Sequence, residues 1–328
     1  MITALRNRLK ENSFIKTLSR VPGFSALLPL AVIVILLSLT TDKFLTPDNI
    51  MNVLRQASVY AIMATGMTFV LLTGGVDLSQ GSVLAMCCVT GCMTLNATGN
   101  MWLAMIVSVV SGAVVGFING VAIAYVKLPP FIMTLGSLYM VRGFTLYITN
   151  STQVSFKGHD AFKFIGQGFL FGIPFPVYVF ILVGVLAMLF LTYTASGRNI
   201  FAVGSNKVSA ELSGVKVNKT TVMVYTLSAA CVGIAAIVYL ARLTAAQPTA
   251  GESYEMEAIA AAVVGGTSQA GGEGGVFGTL IGAIIIAIIR NGLVLLGVGS
   301  YFTKIVVGLI IVLAVALDVT RRRMAANK

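Results

Sequence analysis

Long apolar runs dominate the pattern of hydrophobic and polar positions along this chain. Most runs are about as long as the 17–25 residues that a helix needs to cross the hydrocarbon core of a bilayer. Because unpaired backbone groups are costly in lipid, each run is predicted to be helical. The pattern predicts about ten spans, at residues 24–40, 53–73, 79–97, 102–126, 130–149, 174–194, 219–242, 255–267, 275–297 and 302–318.

The eighth run, 255–267, is too short to cross a bilayer unaided. It is interpreted either as a tilted helix extended at its ends or as a half-helix shielded by protein. In both cases the predicted fold class is all-α, a polytopic membrane protein. Residues 24–318 form the predicted transmembrane domain, which lies between an N-terminal segment, 1–23, and a basic tail, 319–328.

Composition supports this class, because 57% of the 328 residues are hydrophobic and only 10% are charged. A soluble domain carries about 25% charged residues. The first run follows a basic lead, as in a secretory signal. However, it ends in Thr40-Thr41-Asp42-Lys43 rather than at a small-residue cleavage site. We therefore interpret it as a retained span.

The net charge of +11 is distributed as in a membrane protein, and this argues against a nucleic-acid partner. An even number of spans puts both termini and the loop 195–218 on one side of the membrane. Lysine and arginine accumulate in cytoplasmic segments, so this side is predicted to be the cytoplasm. It holds fourteen of the 22 basic residues, namely Arg6, Arg8, Lys10, Lys16, Arg20, Lys127, Arg198, Lys207, Lys216, Lys219, Arg321, Arg322, Arg323 and Lys328.

Two glycine-rich breaks interrupt the apolar pattern. In the first, a run stops at Gly74-Gly75 and the next begins at Asp77 or Ser79, both good N-cap residues. It is either an ordinary capped turn or a hinge or wall of a pathway. The second break covers residues 265–278. No Gly-Lys-Ser/Thr follows it, so it is not a phosphate-binding P-loop, and the chain shows no means of binding ATP.

The predicted cytoplasmic loop, 195–218, carries a short amphipathic helix that Ser205 is predicted to cap and Gly214 to end. Val208, Leu212 and Val215 share one face of this helix. Two helical turns bury little by themselves, so an exposed helix of this kind needs a partner. Few basic residues lie on it, which favours a protein partner over the membrane surface.

The two glycine-rich breaks and the loop 195–218 between them resemble the permease subunits of ribose-type ABC sugar importers. The resemblance extends over nearly the whole chain. Further matching stretches are Phe44-Leu45-Thr46-x2-Asn49, Ala246-Gln247-Pro248-x2-Gly251-x2-Tyr254-Glu255 and Arg290-Asn291-Gly292-Leu293-x-Leu295-Leu296-Gly297.

The resemblance implies a type II ABC importer fold of ten helices in the bacterial inner membrane and a homodimer with a second permease copy. It also implies an ATP-binding subunit at the cytoplasmic loop, which would hold ATP and Mg²⁺, and a periplasmic sugar-binding protein outside. The expected substrate is ribose or a similar pentose or hexose. The residues expected to couple the permease to the ATPase are Gly197, Arg198, Gly204, Asn206, Ala210, Leu212 and Gly214.

Sugar hydroxyls need polar partners, so polar residues and glycines in or beside the spans are candidates for a pathway or hinge. Each of them could equally stabilise helix packing. The candidates are Gly74, Gly75, Asp77, Ser79, Asn119, Thr134, Ser137 and Arg142.

Two other functions compete with this one. An ion-coupled secondary transporter of a small polar solute needs buried ionisable groups; the chain offers Asp77, Arg142, Glu257 and Arg290 but no acid–histidine relay. An enzyme needs a catalytic cluster, and His159 is the only histidine. We therefore predict no catalytic residue, no metal and no cofactor bound by this chain.

Overall fold

Helices form nearly all the regular structure in the part of the chain that the computed structural model describes. This part comprises residues 26–299 together with 302, 305, 306, 308, 309, 312 and 316. The helices are α1 Leu27–Thr40, α2 Pro47–Leu72, α3 Gln80–Thr98, α4 Met101–Ala124, α5 Pro130–Ile148, α6 Asp160–Gln167, α7 Phe175–Tyr193, α8 Ala195–Ser205, α9 Lys207–Leu212, α10 Val217–Leu243, α11 Tyr254–Val264 and α12 Val276–Leu295. The strands are β1 Val154–Ser155, β2 Phe169–Leu170, β3 Ile173–Pro174 and β4 Ala245–Ala246.

Six of these helices, α3, α4, α5, α7, α10 and α12, are long and apolar enough to cross a membrane. The prediction of a mostly helical, polytopic membrane protein is thereby confirmed, while the number ten stays a prediction. Helix α2 has 26 residues, but its first half carries Asp48, Asn52, Arg55 and Gln56. The segment 1–23, most of the run 302–318 and the tail 319–328 lie outside the described residues.

Proline and asparagine set several helix starts. Pro47, Pro130 and Pro176 occupy the first or second position of α2, α5 and α7, where a missing N–H costs nothing. Asn100 precedes α4, and its side chain accepts hydrogen bonds from the backbone N–H groups of Trp102 and Leu103. These local signals explain why the predicted ends agree with the structure to within a few residues for α4, α5 and α7.

Small residues let the inner helices approach closely. A Cβ at Gly112 or Gly116 of α4 would overlap the backbone of α10, and one at Gly282 of α12 would overlap the carbonyl oxygen of Ala261 in α11. Glycines at helix interfaces commonly permit such contacts in membranes. These glycines therefore allow α4 to pack against α10 and α12 to pack against α11 at backbone distance.

Helix α11 is the short eighth run, and its eleven residues are too few to span a bilayer. Residues 258–263 are all buried. Of the two interpretations, a shielded half-helix is the one observed. By contrast, α4 and α5 each leave one side exposed, and that side presents large apolar side chains such as Trp102, Phe117 and Tyr147, as expected for helices that face lipid.

The two longer connections that precede α7 and α11 meet each other. Strand β1 pairs antiparallel with β4, with Val154 opposite Ala246. Strands β2 and β3 form a small hairpin immediately before α7. The connections are thus tied together at the end of the molecule that the charge pattern assigns to the outside.

Candidate translocation and coupling sites

The first glycine-rich break folds into a turn, residues 73–79, that places Asp77 inside the protein. The Asp77 side chain is buried, and its Oδ1 accepts hydrogen bonds from the Ser79 backbone N–H at 3.0 Å and the Ser79 hydroxyl at 2.6 Å. Ser79 occupies the N-cap position of α3, but its hydroxyl is committed to Asp77 and caps nothing. The Asp77 carboxylate therefore takes the place of an N-cap side chain in organising the start of α3.

A buried polar network extends from Asp77 to three helices. The Ser228 hydroxyl of α10 donates to Asp77 Oδ2 at 3.2 Å, and Gln80 Nε2 of α3 donates to Ser228 Oγ at 3.0 Å. Asn119 Nδ2 of α4 donates to Ser79 Oγ at 3.1 Å. Gln80 Oε1 and Asn119 Oδ1 are buried without a hydrogen-bond partner among the described residues. These oxygens are acceptors that a polar solute or water could satisfy.

The backbone of the same turn is held from α10 and from a further helix, α5. The hydroxyls of Tyr225 in α10 and Thr134 in α5 donate to the carbonyl oxygen of Val76, at 3.3 Å and 3.4 Å. A Cβ at Gly75 would approach the Tyr225 hydroxyl to 2.5 Å, so a larger residue here would displace that hydroxyl. Ser137 is buried one turn further along α5.

Most of the predicted pathway residues are therefore brought together, and Arg142 is not among them. Its Nη1 donates to the carbonyl oxygens of Pro248 and Ala250, at 2.6 Å and 2.9 Å, in the connection before α11. The sequence interpretation missed Gln80, Tyr225 and Ser228. Gln80 lies at the end of the first glycine-rich break, but Tyr225 and Ser228 are ordinary residues of an apolar helix, and no local pattern distinguishes them.

The predicted coupling loop contains two helices, α8 and α9, rather than one. Asn206 caps α9, with its Oδ1 accepting from the Ser209 N–H at 2.9 Å, so the prediction of Ser205 as the cap is wrong. The reason is that Ser205 is still helical in α8, and the extended backbone that a cap needs occurs at Asn206, where φ is −159°. Gly214, with φ of +84°, follows the end of α9 as predicted.

The apolar residues of α9 divide between two faces. Val208 and Leu212 are 68% and 85% exposed, as predicted. The prediction that Val215 shares this face is wrong, because α9 ends at Leu212 and Val215 packs against the inner cluster. Ala210 is only 4% exposed and packs with Val203 and Val217. In this conformation Ala210 therefore supports the loop from within, and it is not part of the exposed face. Of the other expected coupling residues, Gly197 is buried in the first turn of α8, and Arg198 beside it is exposed.

The end of α8 meets both glycine-rich breaks at one point. The N–H of Gly272, in the second break, donates to the carbonyl oxygen of Leu72 at 2.9 Å. Gly204 of α8 packs against both groups, and a Cβ there would overlap them. A Cβ on Gly271 would lie 2.9 Å from the Gly204 carbonyl oxygen and 2.9 Å from the Gly74 nitrogen. The end of α8 is therefore in direct backbone contact with both breaks.

We expect Ala210→Arg to loosen the coupling loop. The guanidinium would have to enter the contact with Val203 and Val217, and overpacking of this kind typically costs about 1–3 kcal/mol. Limited trypsin digestion of the purified permease checks this, since Lys207 and Lys216 flank the site. Faster cleavage at these lysines than in the parent protein is expected. A Ser209→Arg variant, at the exposed neighbouring position, is the control. It gains a cleavage site at the new arginine, but cleavage at Lys207 and Lys216 should be no faster than in the parent protein.

Apolar spanning helices that enclose a buried polar network define a polytopic membrane protein of the transport class. Among residues 26–299 and the few described beyond them, no group of three or more His, Cys, Asp or Glu side chains could hold a metal ion. Residues 49–315 match the family described as branched-chain amino acid transport system / permease component. The chain belongs to this family of ABC importer permeases, and within it to the ribose-type permeases that its sequence resembles.

Similar proteins include the ribose import permease protein RbsC of Escherichia coli K12. It is 42% identical over 299 residues, covering 89% of this chain and 92% of that protein. RbsC of Bacillus subtilis 168 is 43% identical over 292 residues, covering 89% and 91%. The D-allose transport system permease protein AlsC of E. coli K12 is 40% identical over 291 residues, covering 88% and 89%. No solved structure gave a significant match.

Proposed function

We propose that this chain is the membrane-spanning subunit of an ATP-driven importer that carries ribose or a closely similar monosaccharide across the bacterial inner membrane. The observation that carries the proposal is the agreement with ribose import permeases of two distant bacteria over about nine-tenths of the chain. A D-allose permease is nearly as similar, which supports the monosaccharide class more strongly than any one sugar.

The proposed energy source is a separate ATPase, which binds ATP and Mg²⁺ and docks on the α8–α9 loop. Val208 and Leu212 supply an exposed apolar contact on a helix whose inner side is fixed by Ala210. Large exposed apolar side chains outside the lipid-facing helices are typical of protein contacts. The contact between Gly204 and both glycine-rich breaks gives this loop a direct connection to the turn that holds Asp77.

The remaining parts of the proposed assembly rest on the family. They are a second copy of this permease, a periplasmic sugar-binding protein on the face that holds the β1–β4 pairing, and a type II importer fold with about ten spanning helices. Both termini would be cytoplasmic, as the distribution of basic residues supports.

Reconstitution in liposomes tests this function. The purified permease alone should accumulate no D-ribose, with or without a pH or sodium gradient. Permease together with its ATPase and binding protein should accumulate D-ribose only when ATP is present. The rival function, an ion-coupled transporter with Asp77 as its buried ionisable group, predicts gradient-driven accumulation by the permease alone. That result would overturn the proposal.

A further inference from the structure

A second polar region lies apart from the Asp77 network, between helices α2, α10, α11 and α12. It is a cavity of ≈ 350 Å³. It is lined by Gln56 and Tyr60 of α2, Tyr239 and Arg242 of α10, Tyr254 of α11 and Arg290 of α12. The ends of α10 and α11 that border the cavity flank the connection 244–253, so it lies toward the face assigned to the outside.

Aromatic rings form one wall of this cavity. The rings of Tyr60 and Tyr254 have centroids 5.0 Å apart, and those of Tyr239 and Tyr254 are 6.2 Å apart and nearly perpendicular. Aromatic residues with a polar tip offer an apolar surface together with a hydrogen-bonding group. Three such residues around one cavity suit a ligand that has both apolar faces and hydroxyl groups.

The charged groups of the cavity are held by protein partners. Arg290 forms an ion pair with the buried Glu257 and donates to the Tyr60 hydroxyl at 2.6 Å, and its guanidinium carbon lies 5.7 Å from the Tyr60 ring centroid. Arg242 Nη2 donates to Asn52 Oδ1 at 3.3 Å. The Glu257 carboxylate offsets the charge of Arg290. The cavity therefore offers oriented donors and neutral amides rather than an open cluster of cations.

We propose that this cavity is a monosaccharide-binding site on the import pathway, an inference that rests on the proposed function for its substrate class. Small-molecule sites commonly occupy about 300–1,000 Å³ and combine apolar walls with a few placed polar groups. A cavity at the lower end of this range suits one sugar ring rather than a disaccharide. The tyrosine rings would contact the apolar face of the sugar, and Gln56 and the two arginines would bind its hydroxyls.

Protection of a cysteine placed in the cavity tests the site directly. Gln56→Cys, in the complete importer in proteoliposomes, is labelled with a small maleimide in the presence and absence of millimolar D-ribose. The native cysteines at 87, 88, 92 and 231 are buried, and the parent protein gives their background labelling. D-ribose should slow the labelling of Gln56→Cys several-fold, whereas sucrose should not. Val126→Cys, at an exposed position on the opposite, predicted cytoplasmic side, is the control and should be labelled equally with and without sugar.

A transport measurement separates this site from the proposed function. Gln56→Leu removes the amide but keeps the size of the side chain, and it should reduce D-ribose uptake about fivefold, the effect of one neutral hydrogen bond. The Gln56→Leu permease should still retain its ATPase, and the affinity of the binding protein for the sugar should not change. Val126→Ala, at the control position, should transport normally.

Two outcomes would overturn the inference while leaving the proposed function intact. The first is normal D-ribose uptake by Gln56→Leu together with labelling of Gln56→Cys that D-ribose does not slow. The second is protection by glycerol phosphate but not by D-ribose, which would assign the cavity to a lipid headgroup. Failure of the parent complex to carry any monosaccharide would instead overturn the proposed function.

Discussion

Replacing Gly204 with alanine is expected to destabilise the permease and to abolish sugar uptake. A Cβ at this position overlaps the Leu72 carbonyl oxygen and the Gly272 nitrogen, and both are backbone groups that cannot rotate away. Overpacking costs about 1–3 kcal/mol, and more where backbone must move. The two glycine-rich breaks would be forced apart from the end of α8. Thermal unfolding of the purified permease in detergent and D-ribose uptake by the complete importer measure the two effects.

Gly143→Ala is the matched control. Gly143 lies in helix α5, and a Cβ there would meet no atom within 4 Å. Alanine is favoured over glycine in a helix interior by about 1 kcal/mol, so this variant should be as stable as the parent or slightly more so. If Gly204→Ala matched Gly143→Ala in stability and uptake, the close contact between α8 and the breaks would have no importance for folding or transport.

Leu212→Ser is expected to leave the permease folded and to separate it from its ATPase. Leu212 is 85% exposed, so the substitution removes almost no packing within the chain. If the proposed docking buries this side chain, its loss removes about 1.5–3 kcal/mol of burial energy. Binding of the ATPase should weaken about 10- to 100-fold. Co-purification of the ATPase with tagged permease and D-ribose uptake should fall together.

Phe171→Ser provides the comparison for this effect. Phe171 is 91% exposed in the β2–β3 hairpin, at the predicted outer face. The same loss of an exposed apolar side chain there should not change ATPase retention. Normal retention of the ATPase by Leu212→Ser would remove α9 from the docking surface. A loss caused equally by Phe171→Ser would show that the assay reports general instability.

These variants also distinguish two ways to disturb the coupling loop. Ala210→Arg acts through the contact with Val203 and Val217 inside the chain and should expose the loop to trypsin. Leu212→Ser changes only the outer side and should leave the trypsin pattern unaltered. The sequence places both residues in one predicted coupling segment, but the structure assigns them opposite faces.

The sequence alone predicts the membrane helices with good accuracy, because a span is defined by local properties. The run 102–126 corresponds to α4, Met101–Ala124, and the run 130–149 corresponds to α5, Pro130–Ile148. Length, apolarity and the proline or asparagine at each start are all readable within one segment. For the same reason both glycine-rich breaks, the loop 195–218 and the family are recognisable from the amino-acid sequence by itself.

Only the tertiary structure decides which of these segments meet. Asp77 accepts a hydrogen bond from Ser228, 151 residues away, and nothing in the sequence near Ser228 marks it as a partner. Gly204 is a poor helix former by propensity, yet it is required because the backbone of two other segments lies against it. The family resemblance places Ala210 among the residues expected to couple to the ATPase, and only the packing against Val203 of α8 and Val217 of α10 shows that it faces inward. A local pattern reports length, polarity and capping, whereas contacts between distant segments depend on how whole helices pack, and that is determined by the fold as a unit.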